Sequence, residues 1–149
     1  AVSVTTRTAT EADLDFLGRV DRHVSPEVQA ELVSLGRVLL AETAGGPVGL
    51  LRWGLFWDEL PFMNLLWVAP EQRGHGVGTT LVTAWERAQA AAGHTQVLTS
   101  TLSSERAQHL YRRLGDVDSG SLLLPGEPTE IILRKALDRS LPAARGRTH

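Results

Sequence analysis

The sequence predicts a mixed α/β sheet with helices on its faces. Three observations lead there. Short runs rich in β-branched and apolar residues alternate with amphipathic stretches, in the order β-α-α-β-β-β-α-β-α-β-β. Turn-forming glycines and prolines separate them, and at 72–81, "QRGHGVGTTL", three glycines crowd the point where a strand gives way to a helix. No internal repeat is visible, and 149 residues suffice for a single domain with one hydrophobic core.

The elements follow in order. "VSVTTR" (2–7) alternates and reads as a first strand. Thr10 is placed to cap a helix carrying Leu14, Leu17 and Val20 on one face. Ser25-Pro26-Glu27 opens a second helix, with the proline at the first helical position, and Gly36 ends it. "RVLLAET" (37–43) and "VGLLRWGLF" (48–56) flank a glycine-rich turn and predict a hairpin. "FMNLLWV" (62–68), between Pro61 and Pro70, is the expected central strand. From Gly76 the period becomes helical, with Val77, Leu81, Ala84, Trp85 and Ala88 on one face and Gly93 as the stop. "TQVLTST" (95–101) is a strand. "SSERAQHLYRRLG" (103–115) is a helix capped by Ser103 or Ser104 and stopped by Gly115. "SLLL" (121–124) and "EIILRK" (130–135) close an antiparallel pair across a Pro125-Gly126 turn. The expected domain covers 1–137, and 138–149 reads as a frayed tail.

Composition narrows the function. A net charge of −2 argues against a general nucleic-acid binder. No apolar run reaches the ~20 residues that cross a bilayer, and no leader pattern opens the chain; a cytoplasmic protein without a membrane partner is expected. There is no cysteine, which removes disulfides, thiolate metal sites and an acyl-cysteine intermediate. The five histidines show no ligand spacing, so no metal is expected.

The glycine loop is the chemical signal. A nucleoside-triphosphate phosphate loop needs Gly-Lys-Ser/Thr, whereas Gly78 is followed by Thr79. A dinucleotide turn needs Gly-x-Gly-x-x-Gly in the first βα unit and a later acid, both absent. Two readings are left: a loop whose glycines let it pack closely on the sheet, or an anion cradle, a helix entrance whose first amides lack partners, approached through Gly74, Gly76 and Gly78, with Arg73 adding charge.

The run Val68-Ala69-Pro70-Glu71-Gln72-Arg73-Gly74-His75-Gly76-Val77-Gly78 resembles the acetyl-CoA signature of the GNAT acyltransferase superfamily, Arg/Gln-x-x-Gly-x-Gly/Ala after a strand ending Val-x-Pro. The element order resembles the GNAT fold over about 2–137, a mixed, mostly antiparallel sheet of about seven strands with four helices. "SERAQHLYRRLG" is similar to the family's Asn-x-x-Ala-x-x-Phe/Leu-Tyr-x-x-x-Gly, matched at Ala107, Leu110, Tyr111 and Gly115. The resemblance implies acetyl-CoA as cosubstrate. Its diphosphate would meet Arg73, Gly74, His75, Gly76, Val77, Gly78 and Thr79, and its pantetheine arm the backbone of Leu66, Trp67 and Val68, with Ser104 in place of a cofactor-holding asparagine. His75 stands where the family often has lysine. The resemblance also implies Tyr111, the only tyrosine, as the acid that protonates the departing sulfur. Asn64 stands where many relatives carry a glutamate base, so the base is open among a water chain, Glu42, Asp58, Glu59 and His23. Trp53, Phe56 and Trp57 are candidate walls of an acceptor pocket, although strand-spaced aromatics more often pack a sheet face. The expected reaction is direct transfer of acetyl to a primary amine of a small molecule. A protein N-terminus or lysine is an alternative acceptor, an acyl-CoA-binding sensor an alternative function, and a homodimer is compatible with the family.

Overall fold

The computed structural model describes residues 3–137. The tail expected over 138–149 lies outside the described residues, as does Val2 of the expected first strand. The elements are β1 (Thr5–Thr8), α1 (Leu14–Val20), α2 (Pro26–Ser34), β2 (Val38–Thr43), β3 (Gly46–Phe56), β4 (Leu60–Val68), α3 (Val77–Ala91), β5 (Gln96–Leu102), α4 (Ala107–Arg113), β6 (Val117–Leu122) and β7 (Glu130–Ala136). This is the predicted order. The seven strands form one sheet, β1-β2-β3-β4-β5-β7-β6. β4 and β5 run parallel; β1–β2, β2–β3, β5–β7 and β6–β7 are antiparallel.

The described residues fall into two compact units. The first runs to Trp53 and adds Leu65–Leu81; the second takes Gly54–Asn64 and the residues from Val82 onward.

In the first unit, the core joins Ala9, Leu17, Val38, Leu40 and Leu50, with Phe16 and Trp67 packed against it. The Phe16 and Trp67 rings meet edge to face, 6.0 Å between centroids. At α2 the capping expectation holds, since Ser25 Oγ accepts from Val28 N (3.2 Å) with Pro26 at the first helical position, whereas Thr10, whose amide donates to Asp13 Oδ2 (2.8 Å), precedes a 3-10 turn instead of α1. The 3-10 turn covers Glu11–Asp13, and α1 proper opens only at Leu14, with Asp13 as the residue before it. Arg7 holds both Asp13 and Glu42. Its hydrogen bond, outweighing the cost of burial, holds the Asp13 carboxyl down at about 2. Deeper in, Arg52 Nε meets Asp21 Oδ2 at 2.6 Å, with side chains 8% and 0% exposed. Gln29 Nε2 and the His23 amide donate to the same carboxylate, so one buried anion ties α1, α2 and β3 together.

In the second unit, β7 is flanked by β5 and β6, and Trp85, Val97, Leu98 and Leu133 are buried. The chain between β3 and β4 turns through Trp57 and Asp58, both at positive φ (55° and 59°), and Glu59 N donates to Phe56 O (3.1 Å). That is the geometry of a type I′ turn without the usual asparagine and glycine.

Four expectations shift. β1 starts at Thr5, because Ser3 and Val4 have no ladder partner among the described residues. On α3, Ala88 is exposed and the buried row is Val77, Leu81, Trp85 and Gln89, with Val82 and Ala90 beside it; alanine carries too little apolar signal to fix a face. Neither Ser103 nor Ser104 caps α4, which begins after Arg106. Local side-chain bonds compete there: Glu105 Oε1 takes Leu102 N–H, and Gln108 Nε2 donates to the carbonyls of Ser103 and Glu105. β6 covers Val117–Leu122, leaving Leu123 and Leu124 outside the ladder, because Leu122 already pairs with Glu130, the first residue of β7; a bulge lies between Asp118 and Gly120.

Candidate active site

In the first unit, β4 ends at Val68 and the chain passes through a 3-10 turn at Pro70–Gln72. Gly74 and Gly76 then adopt φ of +79° and +83°, a left-handed conformation that glycine reaches without strain. A Cβ at either position would meet nothing within 4 Å. The glycines therefore serve the backbone path, and the space beside them is open. The first bond of α3 is Thr80 N to Gly76 O (3.0 Å). Among the described residues no acceptor takes the amide hydrogens of Gly74 to Thr79. Arg73, Gly74, His75, Gly76 and Thr79 are exposed.

Arg73 does more than supply charge. Its Nε donates to Val68 O (3.1 Å), which fixes the guanidinium against the end of β4 and leaves both terminal nitrogens available. It also occupies one of the carbonyls expected to face a pantetheine arm. The ring of Trp67, half-buried, packs against the core and meets Phe16 edge to face. The donor set at this helix entrance, a run of unpartnered amides with an adjacent guanidinium, suits a diphosphate.

In the second unit, β4 and β5 pair at Phe62↔Leu98 and Met63↔Thr99, the last such pair among its described residues. At this last pair Thr99 Oγ1 donates to Met63 O (3.1 Å). Tyr111, on α4, is 6% exposed. Burial pushes its hydroxyl up to about 12; the carboxylates of Asp116 and Glu105 add to this, and the Thr99 hydroxyl beside it acts the other way. The phenol thus sits by the point where the β4–β5 ladder stops, and it is fully protonated at neutral pH.

The remaining candidates separate. Ser104 is exposed in the turn before α4, and Asn64 is exposed on β4 with its amide over Gly54. Glu42 is engaged by Arg7, and the amide of His23 bonds Asp21. Trp53 carries Arg37 over its ring, 5.4 Å to the centroid. Phe56 stacks on Trp57 (4.7 Å) and Phe62 (6.1 Å), and Trp57 is 68% exposed. Asp116 and Thr99 were not singled out in the sequence. Thr99 carried no motif, and Asp116 directly follows the helix-stopping Gly115, where only a buried acid in an apolar setting would have flagged it. Among the described residues no cluster of histidine and acid side chains could hold a metal, and no helix is long and apolar enough to cross a membrane.

A seven-stranded mixed sheet flanked by helices, with a left-handed glycine turn leading from its central strand into α3, defines an α/β protein. Residues 34–115, more than half of the chain, match the family model described as an acetyltransferase (GNAT) domain, and the chain belongs to that family. No curated protein matches it. Among solved structures it is similar to Ard1 from Thermoplasma volcanium (TM-score 0.81, 16% identity, 93% of this chain and 100% of that one). It is also similar to the ribosomal-protein-S18-alanine N-acetyltransferase from Escherichia coli (0.77, 15%, 99% and 99%). A third is the PaiA N-acetyltransferase from Thermoplasma acidophilum in complex with coenzyme A (0.76, 15%, 90% and 99%). At such identities these likenesses speak to the fold. The chain is an acetyltransferase of the GNAT fold, and acetyl-CoA is the donor its family uses.

Proposed function

We propose that the protein transfers an acetyl group from acetyl-CoA to a primary amine of a small molecule, by direct attack and without an acyl-enzyme. The observation that carries this reading is the row of unpartnered amides from Gly74 to Thr79 behind two left-handed glycines. In this reading those amides and Arg73 hold the diphosphate, while Leu66, Trp67 and Val68 offer main-chain groups to the arm and Ser104 a hydroxyl. Acetyl-CoA supplies an activated thioester; the chain positions it and handles the protons. Tyr111, kept protonated by its burial, donates to the departing sulfur. Asn64 cannot accept the amine proton, so Asp58, Glu59, His23 or water takes it. Asp58 and Glu59 flank the exposed Phe56–Trp57 pair, a surface suited to a cationic amine. A peptide N-terminus is the second reading, favoured by the ribosomal-protein acetyltransferases among the structural neighbours.

Thiol release from acetyl-CoA, measured against a panel of small amines and of short peptides with free N-termini, tests both. Turnover is expected with small amines. Turnover confined to peptides would transfer the assignment to the second reading, and none with either would sink both. Gly76→Asp, which strains the left-handed turn and sets a negative charge beside the amides, is expected to weaken acetyl-CoA binding at least tenfold, about 1.4 kcal/mol.

A further inference from the structure

Gly49 stands buried inside β3, where a glycine weakens the strand that carries it. Its φ lies outside the left-handed region, so the backbone path does not call for it. Space does. A Cβ at this position would lie 3.0 Å from Val77 Cγ1, 3.1 Å from Leu81 Cδ1 and 3.1 Å from Trp67 O, all inside normal packing distance. Val77 is the first residue of α3 and Leu81 lies one turn on; they are 2% and 0% exposed. Trp67 is near the end of β4. The strands under this contact are pinned, since Ala69 N donates to Val48 O at 2.8 Å and Gly49 pairs with Ala41 on β2. A side chain wedged in at Gly49 therefore displaces α3 more readily than the sheet. Val77 links this packing to the site: its side chain lies over Gly49, and its amide belongs to the unpartnered row from Gly74 to Thr79.

We propose that Gly49 is a positioning residue for the acetyl donor, acting through Val77. Its missing side chain sets how deeply the entrance of α3 sits against β3, and so the spacing between the cradle amides and the main chain at the end of β4. The proposal rests on the reading of Gly74 to Thr79 as the diphosphate cradle, with Leu66, Trp67 and Val68 meeting the arm. Coenzyme A is one covalent molecule held at two places, so its affinity depends on the distance between them. A displacement of a few tenths of an ångström, which an added Cβ at Gly49 imposes on its neighbours, detunes both holds together. Each hold is unchanged in itself, because the amides travel with α3 and the carbonyls stay with the sheet. The close approach of helix to strand is thus what the glycine provides in return for a weaker strand.

Calorimetric titration with coenzyme A, well below the melting temperature, tests this without turnover. Gly49→Ala is expected to weaken binding about fivefold, and Gly49→Val more, although either residue suits a strand better than glycine. Gly49→Ala combined with Val77→Ala, which removes the nearest methyl group, is expected to bring affinity back to within about twofold of wild type. A glycine with only a structural role would lower Tm in Gly49→Ala and leave the affinity of the folded protein unchanged; that result overturns the proposal. So does a double variant that binds no better than Gly49→Ala. Should Gly49→Ala fail to fold, Val77→Ile decides, since it enlarges the same contact from the helix side; wild-type affinity there overturns the idea. Gly76→Asp keeps the two readings apart. If it leaves affinity intact, the cradle and this proposal fall together; if it weakens binding while Gly49→Ala does not, only the role of Gly49 falls.

Discussion

Tyr111 shows what a buried phenol gains and gives up. Its raised proton affinity keeps it protonated through neutral pH, yet makes it a weaker acid than a solvent-exposed tyrosine. Such a group helps only if the leaving atom gains a proton just as its bond breaks. Tyr111→Phe is therefore expected to lower kcat by about 10²- to 10⁴-fold while leaving acetyl-CoA affinity near wild type; an unchanged kcat would remove Tyr111 from the chemistry. This residue entered through the resemblance of "SERAQHLYRRLG" to a family motif, which implied its role; spacing alone shows only a tyrosine on a helix. Asp116 was not legible, since nothing in the sequence around it separates a buried aspartate from a surface one. Arg73 was half legible: its charge could be read, but its bond to Val68 O follows from the 3-10 turn between them.

At the scale of elements, the β3–β4 hairpin carries the clearest local conflict. Trp57 and Asp58 both occupy the left-handed region, and a bulky side chain there is strained. Trp57→Asn with Asp58→Gly supplies the residues that a type I′ turn prefers and is expected to raise stability by about 1–2 kcal/mol. If the exposed Trp57 helps to seat the acceptor amine, the same variant will show a higher KM for it. Stability and KM measured together check both halves; a destabilised variant would mean that Trp57 contributes packing its exposure does not suggest. Sequence pattern placed this hairpin's strands but not its strain, because nothing in "LFWDEL" announces a positive φ. The α4 start was missed for a related reason: Ser103 and Ser104 look like caps, yet Glu105 and Gln108 bind the local backbone first.

For the molecule as a whole, the order of elements and the mixed sheet were readable because strand and helix periods alternate cleanly and glycine marks most boundaries. The strand order was not readable from periods alone, since β7 lies between β5 and β6 and only the family resemblance implied such a sheet. A ligand gripped by the folded chain alone stabilises all of it. Acetyl-CoA at 100 times its Kd is expected to add about 2.7 kcal/mol, and for a chain of this size each kcal/mol shifts Tm by roughly 2–4 °C. A melting curve unmoved by saturating acetyl-CoA would contradict the assigned cradle.

The two-rung parallel ladder at Phe62–Leu98 and Met63–Thr99 has a kinetic side as well. Neighbouring strands joined by tight turns can zip locally, whereas this pair must wait until the whole intervening crossover, α3 included, has been laid down. Loop-closure entropy thus defers the rungs beside Tyr111 to late in refolding, so a chain arrested just short of the native state would have its hairpins in place and its phenol still exposed to water.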